Sequence, residues 1–343
     1  MVISDIFTTL AEVKQIDKCS PSNISQEILA STEPLLLKGL VKDWPVVAAS
    51  KQSYAEAASY LKQYYQGMPV SVGIGDADSN GRLFYNKAFT KVNFKTQANK
   101  LDQVLNDLLS SIDDEHPTSL YVGSTHIDGL LPQFRLENDL AAIAQYQPLA
   151  SMWLGNQSII AAHHDMPSNI ACCVAGKRRF TLFPPEQVEN LYIGPLDNTP
   201  AGQAISLVDF HQPDWIKFPK FKQALKFAQV VELAPGDALF IPSMWWHHVE
   251  GLSRFNILIN YWWQSTSPHM GAPIDAMYHA LLNIKNLPKE QKKAWQAMFN
   301  HYVFNDDPNA LSHIPEHALG ILDSDNEMAV RQIRAKLLNK LNR

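Results

Sequence analysis

Residues 158–185, SIIAAHHDMPSNIACCVAGKRRFTLFPP, decide the fold of this chain because they contain three short β-type runs separated by turns. The runs are SIIAAHH, NIACCVAG and RRFTLF, and proline or glycine lies at each turn. The pattern continues outward through SLYVGS, SMWLG, QVVELA, ALFIP, WWHHVEG and FNILINYWW, so that it covers residues 119–263. Many short strands at this spacing indicate an antiparallel sandwich or barrel and disfavour alternating βαβ units.

The segments on both sides of this β region are predicted to add helices. One helical stretch covers residues 54–65, and an amphipathic helix with apolar residues at helical spacing begins at Leu101. After Gln264 the sequence is helical to its end, and the apolar stripes there either close one end of the barrel or form a dimer interface. We therefore expect a mainly β protein in three parts: an N-terminal α/β part that packs on the barrel at 1–118, the β barrel at 119–264, and a C-terminal helical bundle at 265–343.

The composition excludes several classes of protein. With 46% hydrophobic and 18% charged residues, the 343-residue chain can bury a substantial core, which excludes disorder for its bulk. Its formal charge of -5 gives no global basic field that would attract nucleic acid or anionic lipid. The three cysteines cannot form a disulfide framework, and the sequence shows neither a signal peptide nor an apolar stretch of about 18 residues. We therefore expect a soluble cytoplasmic protein with neither a membrane nor a nucleic acid as partner.

A candidate metal site lies at the end of the first run. His163 and Asp165 are two residues apart, so their side chains point to the same face of a strand. A third ligand is available from His247 in PSMWWHHVEG, which follows the Pro-Gly-Asp turn at 235–237. Two imidazoles and one carboxylate leave coordination positions open, as suits a non-haem Fe(II) that binds both a co-substrate and O₂. The His-x-Asp pair alone is a weak signal, but burial after an apolar strand would be costly without a partner.

Four segments together resemble a known family: HHDMPSN, GKRRFTLFPPEQVENLY, ELAPGDALFIPSMWWHHVEG and INYWW. They are similar to the cupin-like branch of the JmjC-type, 2-oxoglutarate-dependent oxygenases, and in particular to its asparaginyl hydroxylases. The resemblance spans residues 35–263, and the motifs occur in the order and spacing of the family. It implies a double-stranded β-helix, which is a jelly-roll barrel. It also implies an enzyme that uses Fe(II), 2-oxoglutarate and O₂ to hydroxylate a substrate, with release of succinate and CO₂.

Matched position by position, the iron ligands of the family fall on His163, Asp165 and His247. The resemblance marks the first histidine of WWHH as the ligand, which favours His247 over His248. By strand alternation His164 and His248 would face away from the metal, as packing or supporting residues.

The resemblance also suggests how 2-oxoglutarate would bind. The residue that holds its distal carboxylate is usually a lysine, whereas this chain has Arg178, which can donate two parallel hydrogen bonds. Lys177 would take that role if the register shifted by one residue. Tyr121 matches a tyrosine that assists the same carboxylate. A hydroxyl side chain that contacts 2-oxoglutarate in the asparaginyl hydroxylases is replaced by Ile160.

Three further residues are candidates for the site. Asn169 and Asn260 match amides near the co-substrate and the metal, although each could equally make an ordinary hydrogen bond at a strand end. Trp262 lies two residues after Asn260 and therefore on the same face, where it would form a wall beside the substrate entrance.

The substrate is less well defined by the sequence. The resemblance favours a protein side chain, with a small molecule as the alternative, and it favours a homodimer formed through the C-terminal helices. The long segment 184–228 would form the rim of a peptide groove or the cap of a small-molecule pocket. Its aromatic residues are Tyr192, Phe210, Trp215, Phe218 and Phe221. The rival interpretation is a metal-binding cupin without 2-oxoglutarate turnover, such as an isomerase, a sensor or a binding module, which would need neither Arg178 nor Tyr121.

Overall fold

The computed structural model describes residues 6–200, 202–264, 270–323 and 326–342. The chain divides into two compact units between Gln264 and Ser265. Strands on both sides of residue 118 belong to one sheet, and the boundary placed there stays a prediction.

The first unit is built mainly from strands. In the described residues these are β1 Ala11–Glu12, β2 Lys14–Ile16, β3 Leu35–Leu37, β4 Pro69–Gly75, β5 Arg82–Leu83, β6 Phe94–Lys100, β7 Ser119–His126, β8 Leu149–Gly155, β9 Ser158–His164, β10 Ser168–Ala175, β11 Arg178–Phe183, β12 Gln229–Leu233, β13 Ala238–Ile241, β14 Trp246–Gly251 and β15 Asn256–Trp263. The α-helices found in the described parts of both units are α1 Gln26–Leu29, α2 Pro45–Gln52, α3 Tyr54–Tyr64, α4 Leu101–Ser110, α5 Ile127–Leu130, α6 Phe221–Ala224, α7 Pro273–Asn283, α8 Lys289–Tyr302 and α9 Glu327–Leu341.

The strands form two sheets. The six-stranded sheet has the order β1-β12-β11-β14-β9-β5, and the nine-stranded sheet has the order β2-β3-β13-β10-β15-β8-β7-β4-β6. At the centre of the first sheet β12, β11, β14 and β9 pair antiparallel, and at the centre of the second β13, β10, β15 and β8 do so. The prediction of a mainly β, jelly-roll fold with helical additions is confirmed.

Strand β10 shows why its sequence reads as an unbroken apolar run. Ala171 and Cys173 point into a hydrophobic cluster that contains Phe180 of the six-stranded sheet. Cys172 and Val174 point to the opposite face, into a larger cluster shared with the helices α2 to α4. A strand buried on both faces has no need for polar alternation.

The turn between β10 and β11 depends on Gly176. This residue has φ +72°, and a Cβ atom there would lie 2.3 Å from the carbonyl oxygen of Phe255. Only glycine fits this position. The turn therefore fixes the register in which β11 begins at Arg178.

The second unit contains the helices α7, α8 and α9. Neither α7 nor α8 has a buried residue among those described. Several large apolar side chains of this unit are exposed, among them Met277, Leu282, Trp295, Met298 and Tyr302. Across the described residues of both units, every helix is too short or too polar to cross a bilayer.

Candidate metal centre

His163 and His247 lie directly opposite each other on the antiparallel strands β9 and β14. The centroids of their rings are 4.3 Å apart, and the Nε2 atom of His247 lies 3.7 Å from Oδ2 of Asp165. Each of the three residues offers one ligand atom, and these atoms lie within 4.8 Å of one another. Within the described part of the chain, this is the one group of three or more such residues that could hold a metal ion.

The ring orientation of both histidines suits metal binding. Nδ1 of His163 lies 2.9 Å from the carbonyl oxygen of Ala161, and Nδ1 of His247 lies 3.0 Å from that of Trp245. A carbonyl oxygen only accepts, so each Nδ1 carries a proton and each Nε2 keeps its lone pair for a metal. Burial lowers the pKa of His247 to about 4, which keeps its imidazole neutral at physiological pH. Two neutral imidazoles and one carboxylate are a donor set that fits Fe(II).

Asp165 lies in the connection from β9 to β10, and a second turn holds this connection in place. The amide of Met244 donates to the carbonyl oxygen of Asp165 over 2.9 Å, and the hydroxyl of Ser243 donates to the carbonyl oxygen of Met166. Met244 has φ +67°, an unusual conformation for a side chain of this size. Because β14 begins two residues later, the Ser243–Met244 turn ties the loop of Asp165 to the strand of His247.

The neighbouring histidines lie on the other face, as strand alternation predicts. The ring of His164 packs edge-on against Trp246, with centroids 4.6 Å apart. The ring of His248 stacks on Phe210 at 4.3 Å. Burial lowers the pKa of both imidazoles.

The eight residues that the sequence predicts for the metal, co-substrate and substrate sites line one cavity of about 440 Å³. They are Tyr121, His163, Asp165, Asn169, Arg178, His247, Asn260 and Trp262. The side chains of Asn169 and Asn260 are hydrogen bonded to each other, since Nδ2 of Asn260 donates to Oδ1 of Asn169 over 2.8 Å. This bond joins β10 to β15 in the same cavity as the candidate metal ligands.

Arg178 and Lys177 are placed very differently. Arg178 is 1% exposed and lines the cavity, whereas Lys177 is exposed and does not line it. The ion pairs found among the described residues do not include Arg178. Burial raises the pKa of Tyr121, and the Arg178 guanidinium beside it opposes that shift. A buried guanidinium without a carboxylate partner is a ready site for an anionic ligand.

Part of the cavity wall was missed from the sequence. Trp153 packs edge-on against Trp262, with centroids 5.9 Å apart, and lies 6.0 Å from the ring of Tyr121. Strands β4 and β6 supply Ser71, Gly73, Phe94 and Thr96. In the sequence, the only indication of these residues is that Ser71 and Gly73, and likewise Phe94 and Thr96, are two residues apart. This spacing places each pair on one face of its strand.

The aromatic residues of segment 184–228 are not a rim of this cavity. Phe210, Phe218 and Phe221 are buried in a separate cluster with Phe183 and Trp246, and Tyr192 and Trp215 pack against it. Among the described residues, the segment reaches the cavity through Pro200, Gln203 and Ile205. These aromatic side chains cover the outer face of the six-stranded sheet. Whether the segment forms the rim of a peptide groove or the cap of a small-molecule pocket stays a prediction.

Comparison with known proteins defines the class. The chain matches the cupin-like domain family over residues 21–269 and belongs to it, which confirms the family indicated by the motifs. Human HSPB1-associated protein 1 is 24% identical over 293 residues, which cover 79% of this chain and 56% of the relative. Lysine-specific demethylase 8 of Xenopus tropicalis is 23% identical over 238 residues, or 68% of this chain and 49% of the relative.

A shorter match adds a third relative, tRNA wybutosine-synthesizing protein 5 of Danio rerio. It is 32% identical over 102 residues, which cover 30% of this chain and 28% of the relative. The chain spans about half the length of the first curated relatives it matches. The candidate metal-binding group of His163, Asp165 and His247 lies within the residues that match the family.

Proposed function

We propose that this protein is an Fe(II)- and 2-oxoglutarate-dependent dioxygenase that hydroxylates a protein side chain, with release of succinate and CO₂. The observation that carries the proposal is the buried guanidinium of Arg178, which has no carboxylate partner among the described residues and lies in the same cavity as the two histidines and Asp165. The three candidate metal ligands alone would also fit a metal-binding cupin that does not use 2-oxoglutarate. The guanidinium of Arg178 in addition gives the cavity a group that can bind a carboxylate of a dicarboxylate.

Three residues would hold the metal. Nε2 of His163, Nε2 of His247 and the Asp165 carboxylate would be the ligands, and the hydrogen bonds at both Nδ1 atoms would fix the rings. When bound, Fe(II) supplies the activation of O₂ that an amino-acid side chain cannot perform.

Arg178 and Tyr121 would hold the distal carboxylate of 2-oxoglutarate. A guanidinium buried without a counter-charge costs several kcal/mol, and a bound carboxylate removes that penalty through charge-assisted hydrogen bonds. Ile160 is buried and lines the same cavity, so it contributes an aliphatic wall and no hydrogen bond. The co-substrate would therefore depend strongly on Arg178.

The remaining lining would orient the substrate and exclude water. The aromatic rings of Tyr121, Trp153 and Trp262 form a continuous wall. The bonded pair of Asn169 and Asn260 is buried beside the metal ligands and holds two strands of the wall together.

Turnover of the co-substrate tests this function. The protein should convert 2-oxoglutarate to succinate with consumption of O₂, in a reaction that requires added Fe(II). Arg178→Ala should lower succinate formation at limiting 2-oxoglutarate by about a hundredfold, since a charge-assisted bidentate contact is lost. Lys177→Ala is the matched control and should keep wild-type turnover, because Lys177 is exposed outside the cavity. Iron binding without any succinate would instead indicate a cupin that does not turn over 2-oxoglutarate.

We also propose that the protein is a homodimer formed through its C-terminal helices. The exposed apolar side chains support this, since Leu282 is 69% exposed and Trp295 is 47% exposed. Light scattering after size-exclusion chromatography should give twice the chain mass for the wild type. Leu282→Asp should give the single mass, with the exposed Leu136→Asp on the first unit as control. A single mass for the wild type would overturn the proposal.

A further inference from the structure

Once the metal and the co-substrate are assigned, the cavity has no charge left for the substrate. Its described lining contains two residues charged at neutral pH, Asp165 and Arg178. The proposed function assigns the first to the metal and the second to a carboxylate. The rest of the described lining is neutral.

The inner part of the neutral wall is apolar. Ile160, Phe180 and Leu258 are buried side chains of this wall, and the rings of Trp153 and Trp262 stand beside them. An ammonium or guanidinium group brought to the metal would lose its hydration here without gaining a counter-charge. A neutral group would lose far less.

The outer part of the wall offers neutral hydrogen-bonding groups. Ser71 of β4 and Thr96 of β6 line the cavity and are exposed, and so are Ser124 and Gln203. Hydroxyls and amides both donate and accept, so they can solvate a neutral polar group or a peptide backbone. They carry no formal charge that would offset the charge of a buried cation.

We propose, on the basis of the function proposed above, that the group oxidised by this enzyme is uncharged and that side chains with a cationic end are rejected. The relevant contrast is with the Xenopus tropicalis relative, which is named a lysine-specific demethylase. The substrate class is a neutral side chain, either aliphatic or bearing a hydroxyl or amide.

A matched pair of peptides tests this proposal. Two capped pentapeptides, Ala-Ala-X-Ala-Ala, carry at X either lysine or hydroxynorleucine, in which a hydroxyl replaces the ammonium. Binding to the anaerobic Fe(II) and 2-oxoglutarate complex is followed by the fluorescence of the tryptophans in the cavity wall. The hydroxynorleucine peptide should bind at least about tenfold more tightly than the lysine peptide, which corresponds to about 1.4 kcal/mol.

Two variants test whether the missing carboxylate causes the preference for the hydroxynorleucine peptide. Thr96→Glu adds a carboxylate to the cavity wall and should reduce or reverse this preference. Thr96→Gln introduces a neutral side chain of the same shape as glutamate and should keep it. Equal or tighter binding of the lysine peptide by the wild type would overturn the proposal. Failure of both peptides to bind would overturn it too, because the wall would then not accept an extended neutral side chain. The proposed function is contradicted by a different result, namely that no complex with 2-oxoglutarate forms before any peptide is added.

Discussion

The amide of Met244 donates a hydrogen bond to the carbonyl oxygen of Asp165 over 2.9 Å, from a backbone with φ +67°. The Met244 side chain is 40% exposed, so packing of that side chain does not explain the strained conformation. Its effect is to fix the loop of one candidate metal ligand, Asp165, to the strand of another, His247. We therefore expect Met244 to act on metal affinity through its backbone.

Met244→Pro removes this donor and fixes φ near about −65°, which is incompatible with the positive φ, so it should weaken binding of Mn(II) or Fe(II) by at least about tenfold. Met244→Gly keeps the amide and suits the positive φ, so it should retain wild-type metal affinity. Anaerobic metal titration measures both. When Asp165 is already replaced by alanine, Met244→Pro should cause no further loss of metal affinity. An equal loss of affinity with and without the Asp165 carboxylate would contradict the role assigned to the hydrogen bond.

Asp237 should be a major stabilising residue although it lies outside the site. Its buried carboxylate accepts from Nζ of Lys38 at 2.8 Å, from the amide of Gly39 at 3.0 Å and from the amide of Ala234 at 3.1 Å. Asp237→Ala leaves two half-buried amides and Lys38 without their buried acceptor and should cost about 2 kcal/mol of unfolding free energy. Lys38→Ala should cost less than about 1 kcal/mol, because Lys38 is half exposed. Denaturant unfolding measures both, and similar losses for the two variants would show that the amide contacts are not the main source of the stabilisation.

His211 should make the free energy of unfolding depend on pH above its unfolded pKa of about 6.5. Its Nε2 lies 2.7 Å from Oε1 of the buried Glu250, and this hydrogen bond raises the pKa of His211. A raised histidine pKa means that the folded state binds the proton more tightly, so the stabilisation is full below the unfolded pKa of about 6.5 and is lost as pH rises through the folded value. The contact ties segment 184–228 to β14.

The measurement is the unfolding temperature between about pH 6 and pH 9. It should fall with rising pH in the wild type and fall less in His211→Gln, which cannot titrate. The exposed His126→Gln, which lies on another strand, is the control and should follow the wild type. Identical slopes for wild type and His211→Gln would exclude this contact as the cause.

Much of the candidate site followed from local sequence rules. His163 and Asp165 share a face because strand side chains alternate, and the same rule puts Arg178 and Lys177 on opposite faces without saying which of them lines the cavity. Neither conclusion requires knowledge of distant contacts. The glycine turn at Gly176 then fixes the register that alternation alone left open.

The parts that were missed depend on pairing between distant segments. Gly73 of β4 lies opposite Thr96 of β6 on one side and Tyr121 of β7 on the other, which brings the N-terminal strands to the cavity. No local pattern specifies that pairing. Likewise, the aromatic residues of segment 184–228 could be recognised as apolar, but which surface they cover is decided by Phe183 and Trp246 on remote strands.

The proposed function requires that one cavity holds both Fe(II) and 2-oxoglutarate. This is measured by an anaerobic titration of the Fe(II)-loaded protein with 2-oxoglutarate, followed through the visible charge-transfer band that chelation of iron by the keto acid produces. We expect a saturable band in the wild type and in Lys177→Ala, and a band in Arg178→Ala that requires much more 2-oxoglutarate. Absence of the band while iron remains bound through His163, Asp165 and His247 would contradict the proposed function.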